Sequence, residues 1–209
     1  MLRPILALVL AALWAPTAWP AAGTILVVGD SLSSGYGLPD EQLAWVARLE
    51  RRLDEQGYGH DVVNASISGD TSAGGLARLP SLLETVDPAV VILELGGNDG
   101  LRGLPIGTLR SNLEQMIRLS KDHGAEVLLT GIKMPPNYGA AYTGAFERVY
   151  TDLADAHDVK LVSFLLEGVA LERSLMQSDG VHPNADGHAV MFENVWNVLD
   201  GMLTFDAAD

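Results

Sequence analysis

The stretch Thr24-Ile25-Leu26-Val27-Val28-Gly29-Asp30-Ser31-Leu32-Ser33 decides the fold class. Its apolar, β-branched half reads as a strand. Gly29-Asp30-Ser31 reads as the turn leaving the carboxyl end of that strand, which is where open α/β sheets place ligands. The same alternation recurs along the chain. Residues 61–65, 89–95, 126–131 and 160–163 are further strand candidates, and Val90-Val91-Ile92-Leu93 and Val127-Leu128-Leu129 are continuously apolar, as in strands covered by helices on both faces. Between them, apolar residues recur at helical spacing over residues 43–53, 109–119, 146–156 and 189–203, with Gly57 and Gly124 as stop signals. Trp45 and Trp196 fall on the apolar faces and read as packing residues. Strands alternating with helices predict an α/β protein, a three-layer α/β/α sandwich around a mostly parallel five-stranded sheet of flavodoxin-like winding; the order 2-1-3-4-5 is the expectation for that topology and is not read from residues.

Composition bounds what such a domain does. The chain has 209 residues, 48% hydrophobic and 19% charged, an ordinary globular balance that argues against disorder. A formal net charge of −14, with no basic cluster beyond Arg51-Arg52, disfavours nucleic acid as a partner. There is no cysteine, which excludes disulfides, thiolate catalysis, cysteine zinc sites and lipobox acylation.

The amino terminus reads as a targeting segment. Met1-Leu2-Arg3 is a short basic region, an apolar run follows from Ile5 to Ala15, and small residues surround Ala18, Ala21 and Ala22. The rival reading is an uncleaved anchor, but the run falls short of the ~20 residues a spanning helix needs, and Pro16 and Pro20 interrupt it. The expectation is a secretory signal over residues 1–21, cleaved somewhere in 18–22, then one domain over 22–209, exported to the periplasm or beyond and without a stable membrane span.

Three strand-end loops carry small polar clusters: Gly29-Asp30-Ser31, Ser68-Gly69-Asp70 and Gly96-Gly97-Asn98-Asp99. A parallel sheet brings them to one edge. Acyl transfer needs donors aimed at the oxygen of a tetrahedral intermediate, and the backbone N–H groups of Ser31 and Gly69 with the Asn98 amide are candidates for that oxyanion hole. A fourth cluster, Ser178-Asp179-Gly180-Val181-His182-Pro183, precedes the last helix. His182 can serve as general base to the Ser31 hydroxyl, and Asp179, three residues away, can orient the imidazole. Pro183 biases His182 toward an extended backbone.

Each cluster taken singly has a plainer reading. Ser31 could cap a helix or meet a phosphate, the glycines and Asn98 could be turn residues, and Asp179 with His182 could be half of a metal site. His60, His123, His157 and His188 read as structural. Four clusters of matching chemistry on successive strand ends favour the catalytic reading.

In these motifs the chain resembles the SGNH (GDSL) hydrolases, and among them the bacterial thioesterase/protease/lysophospholipase and arylesterase group. Ser31, Gly69, Asn98 and His182 stand at the positions that give the family its letters, and the likeness spans residues 23–203. It implies a serine esterase acting on aryl and acyl esters, acyl thioesters or lysophospholipids through an acyl-enzyme, with no cofactor, no metal and a monomeric chain. It also implies a substrate-side loop in Met134-Pro135-Pro136-Asn137-Tyr138-Gly139, with Met134, Pro135 and Tyr138 as substrate-binding candidates. The Ser31 turn lacks the Gly-x-Ser-x-Gly elbow of α/β-hydrolases, because Ser33 stands two residues after the serine. Neither a dinucleotide fingerprint nor a phosphate loop is present. A carbohydrate O-deacetylase with the same residues, or a noncatalytic lipid- or glycan-binding module, are the alternatives. The apolar loop residues Leu101, Leu104, Met134, Pro135, Pro136 and Tyr138 weigh toward acyl chains.

Overall fold

The structure is a computed structural model and describes residues 23–203. The expected signal over residues 1–21 therefore lies outside the described residues. In chain order the elements are β1 (Thr24–Gly29), α1 (Ser31–Ser34), α2 (Trp45–Gln56), β2 (Val62–Asn64), α3 (Ser72–Val86), β3 (Pro88–Glu94), α4 (Gly97–Leu101), α5 (Ile106–Asp122), β4 (Glu126–Thr130), α6 (Ala140–His157), β5 (Lys160–Val162) and α7 (Ala185–Leu199). The strands form a five-stranded, all-parallel sheet in the order β2-β1-β3-β4-β5, as expected for that topology.

Why the central strands are apolar throughout follows from the two layers. Successive side chains of a strand face opposite ways. Ile25, Val27, Val90, Ile92 and Leu128 turn toward α2 and α7, where they meet Trp45, Leu49, Leu53, Val195 and Trp196. Leu26, Val28, Val91, Leu93, Val127 and Leu129 turn toward α3, α5 and α6, where Leu79, Leu113, Met116, Phe146 and Tyr150 cover them. Both tryptophans are buried packing residues. Each fully buried aliphatic side chain contributes about 1.5–3 kcal/mol relative to exposure, so the double-sided sheet is the main stabilising element of a chain without disulfides.

Alongside the one-turn helices α1 and α4, the long helix that the sequence pattern did not disclose is α3. Gly74, Gly75 and Pro80 inside it obscure the periodicity of Leu76, Leu79 and Leu83. Tertiary contacts override that weak propensity. The Thr71 side chain caps the first turn, and Gly75 lies against Leu95, where a larger residue would collide. Helix α6 begins six residues earlier than the apolar run at Phe146, and α7 ends at Leu199 rather than 203. Among the described residues no helix is long and apolar enough to cross a membrane.

Candidate active site

All three strand-end clusters meet at the carboxyl edge of the sheet. The turn after β1 is set by Asp30, whose Oδ1 accepts from Leu32 N at 3.0 Å and caps α1, leaving Ser31 as the first residue of that single-turn helix. The β2–α3 loop is fastened alongside by Ile67 N donating to Gly29 O at 3.0 Å and by a 2.7 Å hydrogen bond between the Ser34 and Ser68 hydroxyls. Gly69 in that loop has φ +81°, a left-handed conformation that side-chain-bearing residues rarely adopt. After β3, Gly96 (φ +123°) turns the chain so closely under Tyr150 Oη that a Cβ there would collide, and Asn98 follows in α4.

The segment between β5 and α7 brings the fourth cluster across. Asp179 Oδ1 accepts from the backbone N–H groups of Val181 (2.9 Å) and His182 (3.0 Å), and its Oδ2 lies 2.7 Å from His182 Nδ1. Those backbone N–H bonds, the His182 side-chain bond and the neighbouring imidazole pull the Asp179 carboxyl down to about 2. It is thus ionised across the working range and is the natural acceptor of the Nδ1 proton. His182 Nε2 then stands 3.0 Å from Ser31 Oγ. The structure thereby places Ser31, His182 and Asp179 in one hydrogen-bonded chain, as the sequence spacing anticipates.

Asn98 Nδ2 donates to Asp30 Oδ2 at 2.9 Å, which uses one of its two hydrogens. The backbone N–H groups of Ser31 and Gly69 make no hydrogen bond among the described residues, and both loops border the same edge. No cluster of three or more potential metal ligands exists among the described residues, so Asp179 and His182 gain no partners that would complete a metal site.

Beside Ser31 opens a cleft of about 270 Å³ whose wall includes Asp30, Asn98, Leu101, Ile132, Lys133, Met134, Pro135, Phe164, Leu166, Ala170, Met176, Val181 and His182. Most of these are apolar. Met134 and Pro135 line it, but Tyr138 stands apart. It stacks on Tyr142 at a centroid distance of 5.9 Å and reaches Leu101 O at 3.5 Å, so it supports a wall residue instead of facing the cleft.

Several contributors escaped the sequence reading. Phe164, Leu166, Ala170 and Met176 belong to the irregular segment after β5, where no periodicity marks them, although their position after the last strand was a usable signal. Gln177 ties the histidine loop to the segment after α1: its Nε2 donates to Tyr36 O (2.8 Å) and Pro183 O (2.9 Å). Arg78 of the unanticipated α3 clamps Asp70 at 2.9 Å and donates to Ala65 O and Gly29 O, joining the first two loops. Asp99 joins the third by accepting from Ser72 N and Oγ at 2.8 and 2.5 Å.

A serine–histidine–aspartate array at the carboxyl edge of a parallel α/β/α sandwich defines a hydrolase of the nucleophilic-serine class. Residues 27–190 match the GDSL-like Lipase/Acylhydrolase family, and the chain belongs to it. It is 53% identical over 183 residues to esterase TesA of Pseudomonas aeruginosa, covering 88% of this chain and 90% of that one. It is 43% identical over 187 residues to the thioesterase 1/protease 1/lysophospholipase L1 of Escherichia coli K12, covering 90% and 88%. A crystal structure of TesA superposes with a TM-score of 0.84 at 53% identity, over 86% of this chain and 99% of that one. The chain is a carboxylic ester hydrolase.

Proposed function

We propose that Ser31 is the nucleophile of an esterase that works through an acyl-enzyme. The observation that carries this reading is the unbroken path from Ser31 Oγ through His182 to Asp179, at 3.0 and 2.7 Å. Ser31 Oγ attacks the ester carbonyl as His182 Nε2 takes its proton, and the new oxyanion is held by the Ser31 and Gly69 N–H groups and the second hydrogen of Asn98 Nδ2. His182 then passes the proton to the departing alcohol. Water enters, gives a proton to the same nitrogen as its oxygen bonds to the acyl carbon, and that proton passes to Ser31 Oγ as the Ser31–acyl bond breaks and the carboxylic acid leaves.

The apolar cleft wall supports esters of acyl chains, lysophospholipids among them, over acetylated sugars, whose hydroxyls would need polar partners there. The Escherichia coli relative carries thioesterase and lysophospholipase in its name, and acyl thioesters fit the same cleft. Met134 and Pro135 face the acyl group, and Tyr138 acts through Leu101. The basic and apolar start of the chain supports export to the periplasm with cleavage within residues 18–22, where acyl esters and lysophospholipids are available substrates and cytoplasmic acyl-CoA is not. Every residue of the array comes from one chain, which supports the monomer as the working unit.

The test is hydrolysis of p-nitrophenyl esters from acetate to palmitate by the mature protein and Ser31→Ala, with a chelator present. Loss of at least roughly a thousandfold in the variant, with the chelator inert, is expected. A variant as active as wild type would sink the serine mechanism. Turnover of acetyl-sugars in preference to acyl-chain esters would move the substrate class to O-deacetylation.

A further inference from the structure

Beneath the Ser31 turn lies a carboxyl group that the reaction above does not use. Glu94 ends β3 opposite Gly29 of β1 and is fully buried. Its Oε2 accepts from Asp30 N at 3.1 Å and from Ser33 Oγ at 2.7 Å. Its Oε1 is equally buried and has no hydrogen-bond partner among the described residues. The Asp30 carboxyl is its neighbouring charge.

The groups facing this pair from the surrounding elements are the wrong ones for a second anion. Tyr150 of α6 lies close enough to interact with both carboxyls, and it supplies no positive charge. Asp70 of the β2–α3 loop adds negative charge near Asp30, and Arg78 of α3 is directed onto Asp70, Ala65 O and Gly29 O. The imidazole of His182 lies on the Asp30 side. None of the ion pairs among the described residues includes Glu94.

We propose that Glu94 is a positioning residue that holds a buried proton and, as a neutral acid accepting from Asp30 N and Ser33 Oγ, fixes the residue whose side chain both caps the Ser31 turn and orients Asn98. Two neighbouring carboxyl groups in a dry site hold one proton between them, and it stays on the group that is buried more deeply and whose oxygens are less evenly met by donors. Each Asp30 oxygen accepts from a donor, Oδ1 from the Leu32 N–H and Oδ2 from the Asn98 amide, whereas both donors to Glu94 meet Oε2 and its Oε1 has none. Burial, reinforced by the Asp30 charge, lifts the Glu94 carboxyl well above its ordinary range. Burial also lifts Asp30, but only to about 6, because those two donors oppose it. The outcome is a neutral acid below and an anion above, with one Asn98 hydrogen committed to that anion and the other left for substrate.

The inference rests on Ser31 being the nucleophile, and the experiment separates the two. Infrared spectra of wild type near neutral pH are compared with Glu94→Gln, Glu94→Ala and Ser31→Ala, alongside kcat and KM on p-nitrophenyl butyrate. A carbonyl stretch of a protonated carboxylic acid is expected in wild type and in Ser31→Ala, and absent from both Glu94 variants. Glu94→Ala is expected to lose kcat on the order of a hundredfold at nearly constant KM, since it loosens Asn98 and the serine turn together. Glu94→Gln, the neutral isostere, is expected to restore most of that loss. Absence of the band in wild type, its persistence in Glu94→Gln, or a Gln variant as impaired as Ala or unable to fold would overturn the proposal. If Glu94→Ala does not fold, the band and Glu94→Gln decide alone. If Ser31→Ala keeps its activity while the band behaves as stated, it is the nucleophile assignment that fails.

Discussion

Asn98 Nδ2 lies 2.9 Å from Asp30 Oδ2, so the candidate oxyanion donor on the third loop is aligned by the carboxylate that begins the nucleophile's own helix. One side chain therefore sets two catalytic elements. Asn98→Ala removes a donor and is expected to lower kcat about a hundredfold to a thousandfold with KM little changed. Asp30→Asn keeps the size but turns an acceptor of Asn98 into a group that can oppose it with its own N–H, and a loss in kcat on the order of a hundredfold is expected. Steady-state kinetics on a short p-nitrophenyl ester measure both. A loss confined to KM in either variant would mean that the pair serves ground-state binding.

Gln177 holds the histidine loop to the nucleophile side by two donations from one nitrogen, to Tyr36 O and Pro183 O. His182 O also accepts from Gln177 N at 2.7 Å. Removing the side chain frees the base to drift from Ser31, and misplacement by an ångström is costly to proton transfer. Gln177→Ala is expected to reduce kcat about tenfold. Gln177→Glu, of equal volume, should do no better because its carboxylate would face two carbonyl oxygens. Recovery of activity in the Glu variant would show that packing, not donation, matters.

Ala170 is a small residue in the cleft wall, so its enlargement tests the cleft as the acyl site. Ala170→Phe fills volume that a medium acyl chain would occupy while leaving room for acetate. The expected result is a fall of about tenfold in kcat/KM for octanoate esters with the acetate ester within about threefold of wild type, since a lost methylene contact is worth about 1–3 kcal/mol. Equal loss on both esters would place the chain elsewhere.

The meeting of Ser31, His182 and Asp179 and the run of strands were legible because each depends on local sequence, while the strand order came from the topology that alternating strands and helices favour. Asp179 and His182 share a loop, Ser31 follows an apolar run, and the β-branched runs of β1, β3 and β4 carry their own signature. What stayed hidden was set by tertiary contact. Helix α3 is held by the Thr71 cap and by packing against Leu95 despite two glycines and a proline. With α3 unread, Arg78 could not be placed on the first two loops, nor Ser72 on Asp99. Glu94 was visible only as the polar end of an apolar strand, and its meaning depends on Asp30 and Ser33, residues more than sixty positions away. Tyr138 was drawn into the cleft by its place in a loop motif, whereas its side chain turns onto Tyr142.

His188 joins α7 to α2, and its environment makes acid stability the remaining measurable consequence. It is 1% exposed, and its Nδ1 accepts from Trp45 N at 3.2 Å, which requires the neutral ring. Burial, with Arg48 nearby, depresses its pKa to about 4. The unfolded chain binds this proton near pH 6.5 and the folded chain does so only near pH 4, so the unfolded state carries the extra proton between those values. The contribution to stability is therefore complete above about pH 6.5 and is lost as pH falls through about 4, a loss on the order of 3 kcal/mol at most. His188→Gln retains an oxygen acceptor for Trp45 N and does not titrate. Thermal melts of wild type and variant from neutral to acid pH should show the wild-type Tm falling more steeply across that interval. Parallel curves would mean that His188 is not the group linking acid to unfolding.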